Sequence, residues 1–349
     1  AFGDLWDRIC DQQNITLAHR SARRGKAHYK EVQWVNSNEA DAIEQIRLSL
    51  INKTFTTSQY DVENRFDGKK TRTIHKLPYY PDRIVQHSIV QVCEPIWKST
   101  FIRDTFQSIV GRGTHDARRR LEKCIRGNRG LYALKFDIKK YYPSVKNEIL
   151  KTEIRKKIKC RSTLWLIDDI VDSANGLPIG NYTSQYFGNI YLCGFDWWAK
   201  QKAKPVGYFR YCDDFVVIFN SSLEAHDFKN EAFERLDSEY KLSVKPDWQV
   251  FPVDKRGVDF VGFVFTSRRT RLRKSISKSV RRKSMDILLN NKRMSLEKIV
   301  NGSGSYWGWC KHGQGKSLFK KYYSGHVGAI IKQAKEGLRN AGKDKTTTV

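Results

Sequence analysis

Tyr211-Cys212-Asp213-Asp214-Phe215-Val216-Val217-Ile218-Phe219, entered through Gly207-Tyr208-Phe209-Arg210, reads as two apolar strands, 207–212 and 215–219, parted by two carboxylates. The spacing predicts a tight hairpin with Asp213 and Asp214 at its tip. A second apolar run, Tyr132-Ala133-Leu134-Lys135-Phe136, ends at Asp137. If the two strand ends adjoin, three carboxylates converge. Like charges that close raise one another's pKa, and cations are what hold them together. Two divalent ions bridged by such carboxylates clamp the attacking and leaving oxygens of an in-line phosphoryl displacement. Hard oxygen donors without His or Cys point to Mg²⁺, two ions, with Mn²⁺ as the substitute. The eight histidines show no HxxxH or His/Cys pairing and so suggest no zinc-type site. Asp-Asp is also an ordinary turn sequence. A Tyr-x-Asp-Asp string arises by chance in roughly 3% of chains this long. Alone, the hairpin does not decide the chemistry.

The surrounding chain has 349 residues, 64 Lys+Arg against 37 Asp+Glu and a formal net charge of +27. Its 40% hydrophobic and 12% aromatic content supports a folded core and excludes a wholly disordered basic tail. No run approaches the ~18 apolar residues of a membrane span, and Ala1-Phe2-Gly3-Asp4 carries no basic region before an apolar stretch. Seven cysteines without a CxxC pair argue against a disulfide scaffold or a cysteine zinc site and fit reduced cytosol. Residues 261–349 hold 21 Lys/Arg and 4 Asp/Glu, whereas residues 1–60 are nearly neutral, with 8 and 7. The basic run Arg268-Arg269-Thr270-Arg271-Leu272-Arg273-Lys274 is followed by the aromatics Tyr306-Trp307-Gly308-Trp309 and Lys320-Lys321-Tyr322-Tyr323. Cations interleaved with rings suit phosphate neutralisation and base stacking better than a solvated face. A polyanion is the expected partner.

Periodicity predicts a helix over 39–52, with Ile43, Ile46 and Leu50 on one face behind Ser37 and Asn38 as caps. A second spans 83–97, where Pro95 should kink the last turn. A strand is expected at 131–137, then a helix opened by Pro143 and Ser144 that runs to about residue 158. Ser221-Ser222-Leu223-Glu224 reads as a capping box for a helix with the stripe Phe228, Ala232, Leu236 and Tyr240. Helices alternating with paired strands give an α+β class. Only the polar end, 343–349, reads as loose.

Phe136-Asp137-Ile138-Lys139-Lys140-Tyr141-Tyr142, then Leu177-Pro178-Ile179-Gly180-Asn181-Tyr182-Thr183-Ser184-Gln185, then Tyr211-Cys212-Asp213-Asp214 resemble motifs A, B and C of reverse transcriptases, in that family's order. Thr71-Arg72-Thr73-Ile74 and Asp82-Arg83-Ile84-Val85-Gln86 resemble its fingers motifs. Val261-Gly262-Phe263 resembles the primer-grip strand, and Tyr306-Trp307-Gly308-Trp309 part of a helical thumb. An aliphatic residue before the motif-B glycine, with Ser-Gln after it, resembles the reverse transcriptases of diversity-generating retroelements. Retroviral and group II intron enzymes usually carry glutamine there. The compact layout, without RNase H, maturase or endonuclease domain after residue 340, agrees. One departure is motif D: Lys245 is displaced from the place of the lysine thought to protonate pyrophosphate, and Trp248 stands near it. The proton donor is left unassigned.

The resemblance implies a right-hand polymerase: an N-terminal helical extension (1–60), interleaved fingers and palm (61–265) around an antiparallel sheet with helices on one face, and a basic helical thumb (266–349). It implies that Asp137 and Asp213 ligate both metals, with the Ile138 carbonyl and Asp214 completing the set. Backbone amides at Lys140 and Tyr141 would cradle the triphosphate. Arg72, or failing it Lys76, would neutralise the outer phosphates through a planar or point charge. Tyr142 matches the ring that blocks a ribose 2′-OH, and Ile179 and Gly180 line the nucleotide. Tyr211, Gly262, Phe263, Arg271, Arg273, Lys274, Trp307 and Trp309 would face primer and template. The implied activity is RNA-directed DNA synthesis from dNTPs on an element-encoded template RNA, with adenine-directed errors (mutagenic retrohoming). Implied too are an RNA–cDNA duplex, a small basic oligomeric accessory protein, no membrane, and the cytoplasm of a bacterial, archaeal or phage-bearing host. A retron- or intron-type enzyme is the neighbouring reading. An RNA chaperone would explain the charge but not three acidic motifs in order, and a two-metal nuclease the carboxylates but not Arg72 and Ile179-Gly180.

Overall fold

The computed structural model describes residues 2–66, 71–312 and 315–344, so residues 345–349 of the polar end lie outside the described part. Two compact units result. The first comprises 1–113, 134–219 and 223–250; the second comprises 114–133, 220–222 and 251–349.

The first unit opens with helices Trp6–Cys10, Gln12–Ala22, Lys30–Ser37 and Glu39–Ile51. The last buries Ile43, Ile46 and Leu50 as the periodicity requires. Asn38 precedes it but caps nothing with its side chain, whose Nδ2 donates back to the Trp34 carbonyl (2.9 Å). Strands β1 (Asp61–Phe66) and β2 (Thr71–Lys76) form an exposed antiparallel ribbon with Asp61 opposite Lys76. Helix Ile84–Thr100 buries Val85, Ile89, Cys93 and Trp97 at four-residue spacing and carries Pro95 within it.

The central sheet has the order β3-β5-β6-β4-β7, built from β3 (Thr105–Phe106), β4 (Tyr132–Asp137), β5 (Gly207–Tyr211), β6 (Asp214–Phe219) and β7 (Gln249–Pro252). β4 therefore lies beside β6, which brings Asp137 to the Asp213–Asp214 end. Phe136 stacks on Phe215 (4.4 Å, 10°), with Phe233 of helix Ser222–Ser238 edge-on to it. Three expectations need correction. The sheet is not wholly antiparallel, because its edge strand β3 runs parallel to β5. Tyr211 pairs with Asp214, so the tip of the hairpin is Cys212-Asp213 and Asp214 is the first residue of β6. Cys212 takes φ +58, the left-handed backbone that such a two-residue loop demands. The helix expected over 143–158 is two pieces, Tyr141–Ser144 and Asn147–Arg155, because Val145 and Lys146 are extended.

The second unit combines a three-stranded antiparallel sheet, β8 (Val258–Phe260), β9 (Phe263–Phe265) and β10 (Thr270–Leu272), with helices Thr114–Ile125, Lys274–Asn290, Leu296–Cys310, Gly315–Tyr323 and Gly325–Asp344. β9 is central, and Phe263 and Phe265 are fully buried beneath it. Among the described residues no helix is long and apolar enough to cross a membrane.

Candidate active site

A buried ion pair fixes the hairpin tip from below. Arg210 and Asp196 are both fully buried, and Arg210 donates to Asp196 (2.5 and 2.7 Å) and to Asn189 Oδ1 (3.1 Å). Tyr208 and Thr105 hydroxyls also donate to Asp196 (2.6 and 2.8 Å), so the carboxylate is saturated. A paired, fully bonded charge of this kind specifies one geometry. Here Arg210 Nη1 donates to the Cys212 carbonyl (3.1 Å), locking the residue before Asp213. Just past β4, Ile138 N donates to the Asp213 carbonyl (3.2 Å) and ties the two strand ends together.

Two of the three carboxylates have raised pKa values. Burial, then the charge of Asp213 against the countereffect of Lys245, holds Asp137 above the usual carboxylate range. Burial is also the first cause at Asp214, which is pushed up to about 6, with Lys135 opposing and Asp137 and Asp213 adding to the rise. Asp214 Oδ1 is buried without a hydrogen-bond partner, and Lys135 Nζ stands 3.6 Å away. Lys245 Nζ pairs with Asp137 Oδ1, while Lys245 N donates to the Asp137 carbonyl (2.8 Å). Burial works against this ammonium, but Asp137 outweighs it and the lysine pKa rises. Lys245 is thus the site residue that sequence reading set aside. Its partner is 108 positions away, and no local pattern announces that. Among the described residues no three His, Cys, Asp or Glu side chains stand close enough to enclose a metal ion. The donor set nevertheless suits a hard cation. It offers only oxygens, mutually repelling, one of them orphaned, and two lysines already supply positive charge there.

Tyr142 is half-buried beside the tip, with the Cys212 thiol directed at its hydroxyl (3.7 Å). Tyr141 is buried and donates to the Gly188 carbonyl (2.5 Å), so only its backbone can meet a ligand. Lys140 has φ +48, and Ser144 N closes a turn on its carbonyl (3.1 Å). The first amides of the following helical turn are left to be satisfied from outside that turn. Ile179 is half-exposed, and its carbonyl accepts from His75 N of β2 (2.8 Å). Gly180 has φ +140, and a Cβ there would lie 2.1 Å from the His75 carbonyl oxygen, so only glycine fits. Arg72 is exposed on β2 opposite Arg65, and Lys76, also exposed, pairs with Glu63. Tyr211 ends β5, half-exposed, opposite Asp214.

The remaining predicted contacts lie in the second unit. Phe263 is fully buried, touching Trp309 (5.7 Å) and lying under Arg118 (5.5 Å); its side chain serves the core and offers no surface. Gly262 (φ +87) is glycine because a Cβ would sit 2.5 Å from the Trp309 ring. Arg273 is bound to Asp259 (2.6 Å), while Arg271 and Lys274 are exposed. Trp307 is exposed and packs one edge on Phe319 (5.0 Å), whereas Trp309 is half-buried.

The site thus sets carboxylates at neighbouring strand ends beside a glycine-locked loop that is hydrogen-bonded to the β1–β2 ribbon. The family model of reverse transcriptase (RNA-dependent DNA polymerase) matches residues 64–265, more than half of the chain, and the chain belongs to that family. Its catalytic domain is that of an RNA-directed DNA polymerase, a nucleotidyltransferase. Protein YkfC of Escherichia coli K12 is 22% identical over 314 residues, covering 75% of this chain and 81% of that protein. The structure of apo telomerase from Candida tropicalis superposes with a TM-score of 0.53 at 12% identity, over 83% of this chain and 59% of the telomerase. A form of that telomerase truncated from its C-terminal domain gives 0.49 at 14% identity, over 63% of this chain and 55% of the other. The chain thus spans about three fifths of the telomerase it resembles in fold.

Proposed function

We propose that this chain copies an element-encoded template RNA into cDNA from dNTPs at the Asp137, Asp213 and Asp214 cluster, and does so with errors at template adenines, as in diversity-generating retroelements. The observation that carries the finer reading is the seat of Ile179. Its backbone is fixed by His75, and its side chain, half-exposed, has neither donor nor acceptor. Residues 61–265 act as fingers and palm and 266–349 as a basic thumb. Asp137 and Asp213, with the Ile138 carbonyl and Asp214, hold two Mg²⁺ ions, which when bound activate the primer 3′ hydroxyl and neutralise the leaving pyrophosphate. Amides at Lys140 and Tyr141 bind phosphate oxygens, Arg72 neutralises the outer phosphates, with Lys76 in reserve, and Tyr142 excludes a ribose 2′-OH. Lys245 keeps a proton within reach of the cluster. Tyr211, Trp307 and Trp309 stack against primer and template. A small basic oligomeric accessory protein and a cytoplasmic setting complete the proposal.

The test is Ile179→Gln. A restored hydrogen bond of about 0.5–1.5 kcal/mol corresponds to roughly a two- to tenfold gain in discrimination. Sequencing cDNA copied from one RNA by the unaltered and altered chains should show errors falling more at template adenine than at other template bases, with extension retained. Unchanged adenine errors in an active variant would remove Ile179 from the fidelity argument. The thumb is tested separately by Arg271→Ala with Lys274→Ala. Arg273 is left intact because removing it would strand Asp259. The double variant should bind RNA more weakly, and the slope of log affinity against log salt should flatten by about one to two units. An identical slope in filter-binding titrations would place the RNA elsewhere.

A further inference from the structure

Three helices of the second unit, Leu296–Cys310, Gly315–Tyr323 and Gly325–Asp344, enclose a pocket of about 430 Å³ that the polymerase chemistry does not use. Aromatic rings form one side of it. Phe319 and Tyr323, one helical turn apart, lie nearly parallel (4.4 Å, 7°). Trp307 leans on Phe319 from the preceding helix (5.0 Å, 58°) and is 44% exposed. The Tyr323 hydroxyl donates to the Val280 carbonyl (3.4 Å), so that residue offers the pocket its ring.

The third helix adds charge. Lys332 and Lys335, three positions apart and so on one face, are both exposed and line the same pocket. Gly304 lines it from the interior of Leu296–Cys310, where a glycine weakens the helix. Packing does not demand that glycine, because a Cβ there meets nothing within 4 Å. Gly302 differs: a Cβ on it would stand 2.9 Å from the Lys283 side chain. The fold thus accounts for Gly302, and what Gly304 leaves open is the pocket.

What fits there follows from the lining. Ring faces take a flat apolar partner, and two ammonium groups take a phosphate. An unpaired nucleotide carries both within one residue. A paired base does not, because its faces are covered by neighbouring pairs and a duplex presents only edges and backbone. The surrounding charge agrees, with 21 Lys/Arg against 4 Asp/Glu over residues 261–349. We propose that this pocket binds one unpaired nucleobase of single-stranded RNA, stacked on Trp307, with a flanking phosphate on Lys332 and Lys335. The inference deepens the stacking role given to Trp307 above, and rests on that reading in taking the bound strand to be nucleic acid. Such a site distinguishes unpaired RNA from a finished hybrid duplex, which a basic surface alone does not.

The experiment titrates the full chain by fluorescence anisotropy against three end-labelled probes: a short oligo(rA), the same backbone with abasic residues, and an RNA–DNA hybrid of equal length. Trp307→Ala should weaken oligo(rA) binding about tenfold and change the other two probes less than about twofold. Gly304→Leu removes no contact and fills the pocket, so it should reproduce that selective loss with circular dichroism unchanged. Lys332→Ala with Lys335→Ala should flatten the salt dependence of oligo(rA) binding by about one unit. Unchanged oligo(rA) binding in both Trp307→Ala and Gly304→Leu, or an equal loss on all three probes, would overturn the proposal. The Arg271→Ala, Lys274→Ala double variant separates this outcome from failure of the basic thumb. If it weakens oligo(rA) and hybrid alike while the pocket variants alter neither, the pocket falls and the thumb stands. If it alters neither probe while the pocket variants weaken oligo(rA), the pocket stands and the thumb surface falls.

Discussion

Asp213→Asn protein is expected to lose primer extension by at least about two to three orders of magnitude, the scale on which a single preorganised charged group acts, while binding RNA as tightly as the unaltered chain. The argument is local. Asp213 occupies the second position of a two-residue loop whose backbone is held by Arg210 through the Cys212 carbonyl and by Ile138 through its own. None of those bonds uses the Asp213 side chain, and asparagine is nearly the same size, so the loop survives the exchange. What disappears is a charge that, after burial, adds to the raised pKa values of Asp137 and Asp214. The folded protein should therefore be no less stable by thermal melting, and relief of repulsion moves the midpoint upward if at all. On the proposed reading, RNA affinity would rest on phosphate contacts made by cations such as Arg271 and Lys274, which the substitution leaves untouched. Extension on a primed RNA template measures the first effect, and filter binding the second. Normal extension would remove Asp213 from the catalytic assignment. Equal loss of extension and binding would mean that the hairpin serves RNA rather than chemistry.

Much of this site was legible because strand ends and acidic side chains are adjacent in sequence. Asp137 closes β4, and Tyr211-Cys212-Asp213-Asp214 turns between β5 and β6. The register at the tip was not legible. Phe215, Val216, Val217 and Ile218 are all fully buried, so β6 has no polar face whose alternation would fix which residues pair. The break after Ser144 was hidden for a similar reason, since no proline or glycine marks Val145 or Lys146. Long-range contacts account for the rest. The Lys245–Asp137 pair bridges distant segments, and the placing of helix Thr114–Ile125 with β9 depends on chain far beyond it. The full burial of Phe263 was not legible, because an aromatic residue next to glycine suits a grip and a core equally well.

Gly180→Ala is the second large expected loss, and it tests whether the β2 ribbon and the Ile179–Gly180 loop act together on the nucleotide. The added methyl would stand 2.1 Å from the His75 carbonyl oxygen and 3.1 Å from its carbon, both backbone atoms that no rotamer can move. At φ +140 an L side chain is strained in any case, at a cost of about 1–3 kcal/mol. The strain is relieved only if β2 withdraws or the loop rotates, and either movement breaks the bond from His75 N to the Ile179 carbonyl. β1 is exposed along its whole length, and the His75–Ile179 bond is what the ribbon shares with this loop. The central sheet is separate from that seam, so the protein should fold and retain its circular dichroism. The loss should instead appear in dNTP use, because Arg72 rides on β2 and Ile179 on the loop. A displacement worth about 1.4 kcal/mol in binding raises KM tenfold, and misplacement of the reacting groups lowers kcat as well. Gly113→Ala is the matched control, since a Cβ there meets nothing within 4 Å. Steady-state extension over a range of dNTP concentrations distinguishes the two variants. If Gly180→Ala keeps both constants while folded, the loop lies outside the nucleotide site, and the assignment of Ile179 to fidelity falls with it.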